Sequence, residues 1–316
     1  MRNRSVFALF LLLWLAVSAL SSCRKTGASP ESNKHKYDIE TLKDSIEKIA
    51  AEYPGEIGVA VLTDLGDTVT VNNEDKYPLM SVFKLHQAIA TCRFLEEYGQ
   101  TPDTLLAIPR AALNPDTWSP MLKEHTADTL HLTVKDLMRY TLMQSDNNAS
   151  NYMFDNLLGV ADVDSFIATL IPRESFRLAV TEAGMWHDHS LCYRNHSSPL
   201  GAALLIDRLF TDSIIGNTDQ EMIRTALREC ATGTDRIVAP LAEIEGVTVA
   251  HKTGSGFRDA NGILTAHNDV AFITLPDGRH YTLAVLVKDF NGDEKAAACA
   301  IARISATVYG CLAAPL

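Results

Sequence analysis

Apolar positions along this chain fall into helical and strand-like spacings that alternate from end to end. Ile39, Leu42, Ile46, Ile49 and Ala50 recur at helical spacing and predict an amphipathic helix. Ile57-Gly-Val-Ala-Val-Leu62 reads as a buried strand, Asp64-Leu-Gly-Asp67 as a turn, and Thr68 to Val71 as a second strand. After Pro78-Leu-Met, a helix is expected to start at Ser81 and run to about Leu95. From there to about Phe210 the pattern is mostly helical with long loops. Leu132 to Met143 is the clearest helix, and Asn148 to Leu158 gives another. Ala179 to Pro199 carries little periodicity, and an irregular stretch of that length in a folded domain is usually functional. Strand patterns return at Val247 to Ala250, Asp269 to Leu275 and Tyr281 to Val287, the last two joined by the turn signal Pro276-Asp-Gly278. Glu294 to Leu312 closes the chain as a helix. One sheet must therefore be assembled from both ends of the chain, around a helical insertion.

The first residues differ in kind from the rest. Arg2 and Arg4 precede an almost unbroken apolar run from Val6 to Leu20, too short for a membrane span and suited to a secretory signal peptide at 1–22. Leu20-Ser-Ser-Cys23 resembles a bacterial lipobox, in which Cys23 is lipid-modified and becomes the new N-terminus. The alternative is cleavage near Ser22 or Cys23 to give a soluble periplasmic protein. The lipoprotein reading implies membrane attachment through Cys23, with Arg24 after the cysteine fitting outer-membrane sorting. Residues 23–38 are polar and suit a tether.

At 316 residues, nearly half of them apolar, the chain is long enough for one large domain or two intertwined ones. The formal net charge of −11 becomes −13 once Arg2 and Arg4 leave with the signal peptide. With no long basic run, a nucleic-acid partner is not expected. Of six cysteines, Cys23 is assigned to lipid and the other five form no CxxC pair. Cys92, Cys299 and Cys311 lie in apolar helical contexts and are expected as buried free thiols.

Three short motifs follow in order: Ser81-Val-Phe-Lys84, Ser145-Asp-Asn147 and Lys252-Thr-Gly254. An S-x-x-K alone is common and usually marks a helix surface; the ordered trio is specific. Three residues apart on a helix, Ser81 and Lys84 share a face about one turn apart. A serine in a first turn has an unpaired backbone N–H and the positive end of the helix dipole beside it, which suits a nucleophile whose own N–H helps hold an oxyanion. Lys84 can take or relay the hydroxyl proton if its pKa is depressed. Ser145, which could be merely a helix-end cap, is read as the relay of a proton to a leaving nitrogen. Asn147 is read as a hydrogen-bond partner of a substrate amide, and Asp146 as a loop pin that touches no substrate. Lys252 points into the cleft from a strand and holds Ser145, Thr253 offers a hydroxyl to a carboxylate, and Gly254 leaves room for a ligand to approach the backbone. Ser255 supplies a second oxyanion N–H. The bland alternative is an edge strand with a charged gatekeeper.

These motifs are those of serine β-lactamases and penicillin-binding proteins, and from about residue 39 to 310 the chain resembles a class A serine β-lactamase. Trp118-Ser-Pro, Thr232-Gly-Thr-Asp-Arg236 and His251-Lys-Thr-Gly are similar to its cephalosporinase-leaning branch. The resemblance implies an α/β plus all-α fold of the serine β-lactamase and DD-peptidase type, with an antiparallel sheet flanked by helices. The α/β domain would comprise 39–79 and 205–316, and the helical domain 80–204, with an Ω-type loop at about 179–199. It also implies an acyl-enzyme on Ser81, no cofactor, and a small β-lactam as the partner of a monomer.

Within that loop, Glu182 of Thr181-Glu-Ala-Gly-Met-Trp186 aligns with the family's deacylating base, a role typically worth ~10²–10⁴-fold. A solvated loop carboxylate is the alternative. The family usually follows this glutamate with proline and places an asparagine four residues on, where Ala183 and Trp186 stand here. The customary Arg–Asp clamp of the loop is absent, with Val180 and Asn195 at its ends. Arg236 is read as anchoring a substrate carboxylate together with Thr253, the alternative being a surface salt bridge. Trp118 is read as a wall of the cleft entrance. His187, Asp188, His189, Cys192 and His196 match no common zinc spacing, and no metal is expected. The activity implied is hydrolysis of β-lactams, leaning to cephalosporins. The alternatives are a penicillin-binding D-alanyl-D-alanine peptidase and a non-catalytic lipoprotein that binds β-lactams or peptidoglycan.

Overall fold

Five antiparallel strands from both ends of the chain build the central sheet. The computed structural model describes residues 37–74 and 76–314. The expected signal peptide, Cys23 and most of the tether lie outside the described residues. The chain enters through α1 (Ile39–Ala51), β1 (Glu56–Thr63) and β2 (Thr68–Val71), followed by the short β3 (Tyr77–Pro78). A long middle section carries α2 (Phe83–Glu97), β4 (Leu105–Pro109), α3 (Pro120–Glu124), β5 (Thr129–Thr133), α4 (Val134–Met143) and α5 (Asn147–Asn156). It continues through α6 (Val160–Ile167), β6 (Phe176–Arg177), α7 (Glu182–His187), β7 (His196–Ser197), α8 (Pro199–Thr211) and α9 (Asn217–Arg228). Strands β8 (Thr248–Ser255), β9 (Leu264–Thr274) and β10 (His280–Phe290) and helix α10 (Glu294–Leu312) complete it. The sheet order is β2-β1-β10-β9-β8.

Alternation along the strands separates two apolar layers. Ile57, Val59 and Val61 of β1, Ala271 and Ile273 of β9, and Leu283, Val285 and Val287 of β10 pack with α1 and α10. The residues between them, including Ala60, Val270, Phe272, Ala284 and Leu286, join the larger cluster that holds α2, α4, α8 and α9. A sheet covered on both faces reads as continuous apolar runs, which is why these strands stand out in the sequence. Two helices are tied down by polar contacts: Thr282 Oγ1 of β10 donates to Asp207 Oδ1 on α8 (2.8 Å), and Ser305 Oγ on α10 donates to Ile237 O (2.8 Å).

The middle section departs from expectation in four places. Ser81 lies in a 3-10 turn, Met80–Val82, and the α-helix begins only at Phe83. The helix expected from Leu132 begins at Val134, because Thr133 heads it with a capping box: its Oγ1 accepts from Asp136 N and Asp136 Oδ2 accepts from its N–H. Residues 129–133 instead pair with 105–109 as a small hairpin. The segment expected to be irregular contains α7, a 3-10 helix over His189–Arg194 and β7. The divide expected at 204/205 falls inside α8. Cys299 is exposed and Cys311 only half-buried, contrary to the expected burial, whereas Cys92 is buried.

Candidate active site

The side chains of Ser81, Lys84, Ser145 and Glu182 converge where α2, α5, α7 and β8 meet. The segment before Ser81 is held from outside itself. Asn268 of β9 donates Nδ2 to Pro78 O (2.7 Å) and Leu79 O (3.2 Å), and Leu79 N donates to Asn195 O (2.8 Å). Met80 sits at φ 45° and Ser145 at φ 57°, both left-handed. Such backbone costs about 1–3 kcal/mol and persists where surrounding contacts over-determine it.

Ser81 Oγ donates to Glu182 Oε1 (2.8 Å) and accepts from Lys84 Nζ (3.0 Å). Lys84 is fully buried and its Nζ also lies 3.0 Å from Glu182 Oε1, 2.6 Å from Asn147 Oδ1, 2.8 Å from Ser145 O and 3.4 Å from Ser145 Oγ. Opposite, Lys252 Nζ donates to Ser145 Oγ (3.1 Å) and to Thr253 O (3.0 Å). Burial pushes the Lys252 ammonium down to about 8, against the attraction of Cys230. Ser145 thus stands between two lysines and within reach of both. Ser81 Oγ has a carboxylate to accept its proton on one side and an ammonium donating to its oxygen on the other, the arrangement of an activated nucleophile.

Glu182 is placed by loop chemistry that the sequence did not advertise. Thr181 caps α7, Asn151 Oδ1 accepts from Ala183 N (3.0 Å), and the carboxylate is only 7% exposed. The two ends noted for lacking a salt bridge are joined nonetheless. Asn195 Oδ1 accepts from Ala179 N (2.8 Å) and Val180 N (3.0 Å), and its Nδ2 donates to Val180 O (2.8 Å). One buried amide replaces the ion pair as the neck of the loop. At the loop's far side His189 stacks on Phe257, with ring centroids 3.7 Å apart. The expected second partner for a water, four residues past Glu182, is replaced by Trp186, which lines the cleft.

Strand β8 closes the other wall. A Cβ on Gly254 would come within 2.4 Å of Leu79 O and 3.3 Å of Ser81 N, so the space at this glycine is filled by the turn that carries Ser81, not by a ligand as expected. That contact sets β8 at Gly254 against the backbone N–H of Ser81, and Ser255 lines the same cavity as Ser81. Arg236 also differs from expectation. It is buried, and its Nη atoms donate to Gly254 O (3.2 Å), Asn268 O (2.7 Å) and Ser255 Oγ (2.6 Å), so in this state it props β8 instead of offering a free fork. Thr253 Oγ1 is 2.6 Å from Thr232 Oγ1. Asn147 Nδ2 is engaged by Thr117 Oγ1 (2.9 Å). Asp146 is buried and accepts from Ser119 Oγ, Met121 N and Ala149 N, contacts that pin the loop.

The resulting cavity measures about 570 Å³ and is lined by Ser81, Ser145, Asn147, Glu182, Arg236, Thr253 and Ser255. Trp118, 53% exposed, stands at its edge with Nε1 donating to Gln144 O (2.9 Å), while Trp186 and Phe257 add two further aromatic walls. The size suits a small molecule. The sequence motifs found Ser81, Lys84, Ser145 and Lys252, but not Asn151 or Asn268, nor the contacts that give Asn195 and Thr232 their parts, since these join residues distant in sequence.

Residues 41–312 match a family described as "Beta-lactamase enzyme family". The chain is 51% identical to a "Beta-lactamase" of Phocaeicola vulgatus over 98% of its own length and 97% of that protein's. It is 31% identical to "Extended-spectrum beta-lactamase PER-1" of Pseudomonas aeruginosa, covering 85% of this chain and 86% of the other. Among solved structures, a class A beta-lactamase representative from Bacteroides cellulosilyticus DSM 14838 superposes with TM-score 0.83 at 28% identity, over 89% of this chain and 100% of that one.

Proposed function

The chain belongs to the beta-lactamase enzyme family, and we propose that the Ser81 cleft is where it opens the β-lactam amide. It is a class A serine β-lactamase, a hydrolase whose activity gives resistance to β-lactam antibiotics. In the proposed route Ser81 Oγ attacks the lactam carbonyl carbon while its proton passes to Glu182 or Lys84. The carbonyl oxygen, now negative, is held by the backbone N–H groups of Ser81 and Ser255. As the C–N bond breaks, Ser145 gives its proton to the nitrogen and regains one from its lysine neighbours. Water then attacks the ester, Glu182 takes one of its protons, and Ser81 Oγ leaves reprotonated. Lys252, Thr253 and Arg236 form the carboxylate side of the site, Asn147 contacts the substrate amide, and Trp118 walls the entrance.

The observation that carries this reading is the 2.8 Å contact of Glu182 with Ser81, with Lys84 3.0 Å from the same carboxylate oxygen. A base at that distance favours completed hydrolysis over the stalled acyl-enzyme of a penicillin-binding peptidase. Sustained turnover of a chromogenic cephalosporin tests it, and a stoichiometric burst followed by silence would overturn it. In Ser81→Ala no covalent mass shift is expected on drug treatment.

A cephalosporin preference is part of the proposal, supported by the Trp118, Thr232 to Arg236 and His251 to Gly254 sequences and by the extended-spectrum relative at 31% identity. Ratios of kcat/KM across penicillins, early cephalosporins and oxyimino compounds test it. We also propose a periplasmic lipoprotein anchored to the outer membrane through Cys23, on the strength of Arg2, Arg4, the Val6 to Leu20 run and Leu20-Ser-Ser-Cys23. Fatty-acid labelling lost in Cys23→Ser supports this; unlabelled native protein contradicts it.

A further inference from the structure

Three charged side chains line the cavity, and they are engaged to different degrees. Glu182 is buried and lies 3.0 Å from the Lys84 ammonium. Arg236 is buried, with its Nη atoms donating to Gly254 O, Asn268 O and Ser255 Oγ. Glu294 differs from both. It is exposed, no hydrogen bond or ion pair from another described residue engages its carboxylate, and the proposed route gives it no part.

The turn ahead of α10 fixes its place. Asp293 caps that helix, its Oδ1 accepting from Ala296 N (2.7 Å), so Glu294 opens the first turn. Arg258, in the segment after β8, donates Nη2 to Gly292 O (3.1 Å), which ties this turn to the end of the strand that carries Thr253 and Ser255. Arg258 itself does not line the cavity, and its Nη1 donates to Gly262 O (2.7 Å). On the helix, the positions three and four residues on, where a cation could pair with Glu294, hold Ala297 and Ala298. Lys295, one residue on, does not share its face. The charge of Glu294 reaches Arg236: burial holds that guanidinium below its ordinary range, and the carboxylates of Asp269, Asp235 and Glu294 act against the shift.

Substrate chemistry sets what lies beside Glu294. On the proposed reading of the cleft, on which this inference rests, Thr253 and Arg236 take the substrate carboxylate. In a cephalosporin the ring carbon next to the one bearing that carboxylate carries a variable substituent. Anchoring the carboxylate at Arg236 therefore brings the substituent toward the part of the cavity that Glu294 lines. An exposed carboxylate there attracts a cation and repels an anion. Trp118, Trp186 and Phe257 line the same cavity with aromatic rings, which favour a cation over their faces. We propose that Glu294 is a specificity-determining residue that selects cephalosporins whose substituent next to the carboxylate is positively charged. Its charge also opposes the carboxylate common to all these drugs, so the residue trades general affinity for discrimination.

Cephaloridine and cephalothin make the test. They share one acylamino side chain and differ in that substituent, pyridiniomethyl in the first and acetoxymethyl in the second. The readout is the ratio of kcat/KM for cephaloridine to that for cephalothin, in the native protein and its variants. In Glu294→Gln the ratio should fall about fivefold, the scale of one partly exposed ion pair, with the change carried by KM and not by kcat. Glu294→Asp should keep most of the native ratio, and Glu294→Lys should lower it further than Glu294→Gln. Raising ionic strength from about 0.01 M to about 0.15 M should shrink the native ratio more than that of Glu294→Gln, a response that lost packing does not produce. A ratio that keeps its native value in both Glu294→Gln and Glu294→Lys, with both drugs turned over, overturns the role of Glu294 alone. A native protein that reacts with neither drug would overturn the reading of the cleft, and this inference with it.

Discussion

Glu182 decides whether the acyl group stays or leaves, and its position makes the consequence of neutralising it specific. Glu182→Gln keeps the volume and can still accept from Ser81, but it no longer takes a proton from water. Deacylation should slow by about 10²–10⁴-fold, and an acyl adduct should persist on intact-mass measurement. Steady turnover at the native rate would remove Glu182 from the route. Lys252 supplies a second prediction at this scale. Burial holds its ammonium near 8, well below an ordinary lysine, so the charge is present below that pH and is lost as pH rises through it. On the proposed role, kcat/KM should fall along an alkaline limb centred near pH 8, visible in a profile from 6 to 10. A flat profile over that range would mean that the Lys252 charge does not contribute to turnover. The reacting residues were legible because short local motifs encode them. The contacts of Arg236 were not legible, because sequence gives no hint that Asn268 O, Gly254 O and Ser255 Oγ would engage its Nη atoms.

At the scale of the element, the loop carrying Glu182 is held by side chains that hydrogen-bond backbone groups. Asn195 alone satisfies two N–H groups and one carbonyl across its neck. Asn195→Ala leaves all three without these partners, at about 1–3 kcal/mol for each group that water cannot reach. Amide exchange across residues 179–195 should quicken, and deacylation should slow more than acylation because Glu182 moves with the loop while Lys84 stays on α2. Equal effects on both steps would show that the neck does not specifically position Glu182. Little of this loop could be read in advance. Thr181, Asp188 and Asn195 are loop-compatible residues in any protein, and only contacts across the stretch turn them into caps and a clasp. Terminal elements behave differently. Helices α1 and α10 and the strands they cover were visible because their apolar spacing is regular and both sheet faces are buried. The β4–β5 hairpin was missed because its five-residue strands run directly into a helix, with a cap at Thr133 as the only boundary.

At the scale of the molecule, the sheet separates two apolar layers with different duties. The layer containing Met80, Val82 and Phe83 surrounds the nucleophile turn and includes α2, α4, α8 and α9. The other, under α1 and α10, contains Ile46, Ile301 and Ile304 and none of the proposed catalytic side chains. The chain's two ends meet in β1 and β10, which pair from Glu56 with Lys288 to Thr63 with Tyr281, so the outer layer supports the fold while the inner layer also sets the site. That division predicts a separation of stability from activity. Ile46 is fully buried on α1, and Ile46→Ala should cost about 2–5 kcal/mol through lost burial and a residual cavity. Urea unfolding should show the loss as a lower midpoint at unchanged slope. Per folded molecule, kcat/KM should stay within twofold of the native value, because none of that layer's apolar side chains lines the cleft. A fall in kcat/KM well beyond that in the fully folded variant would mean that the sheet transmits outer-layer packing to Ser81, and that the layers are not independent.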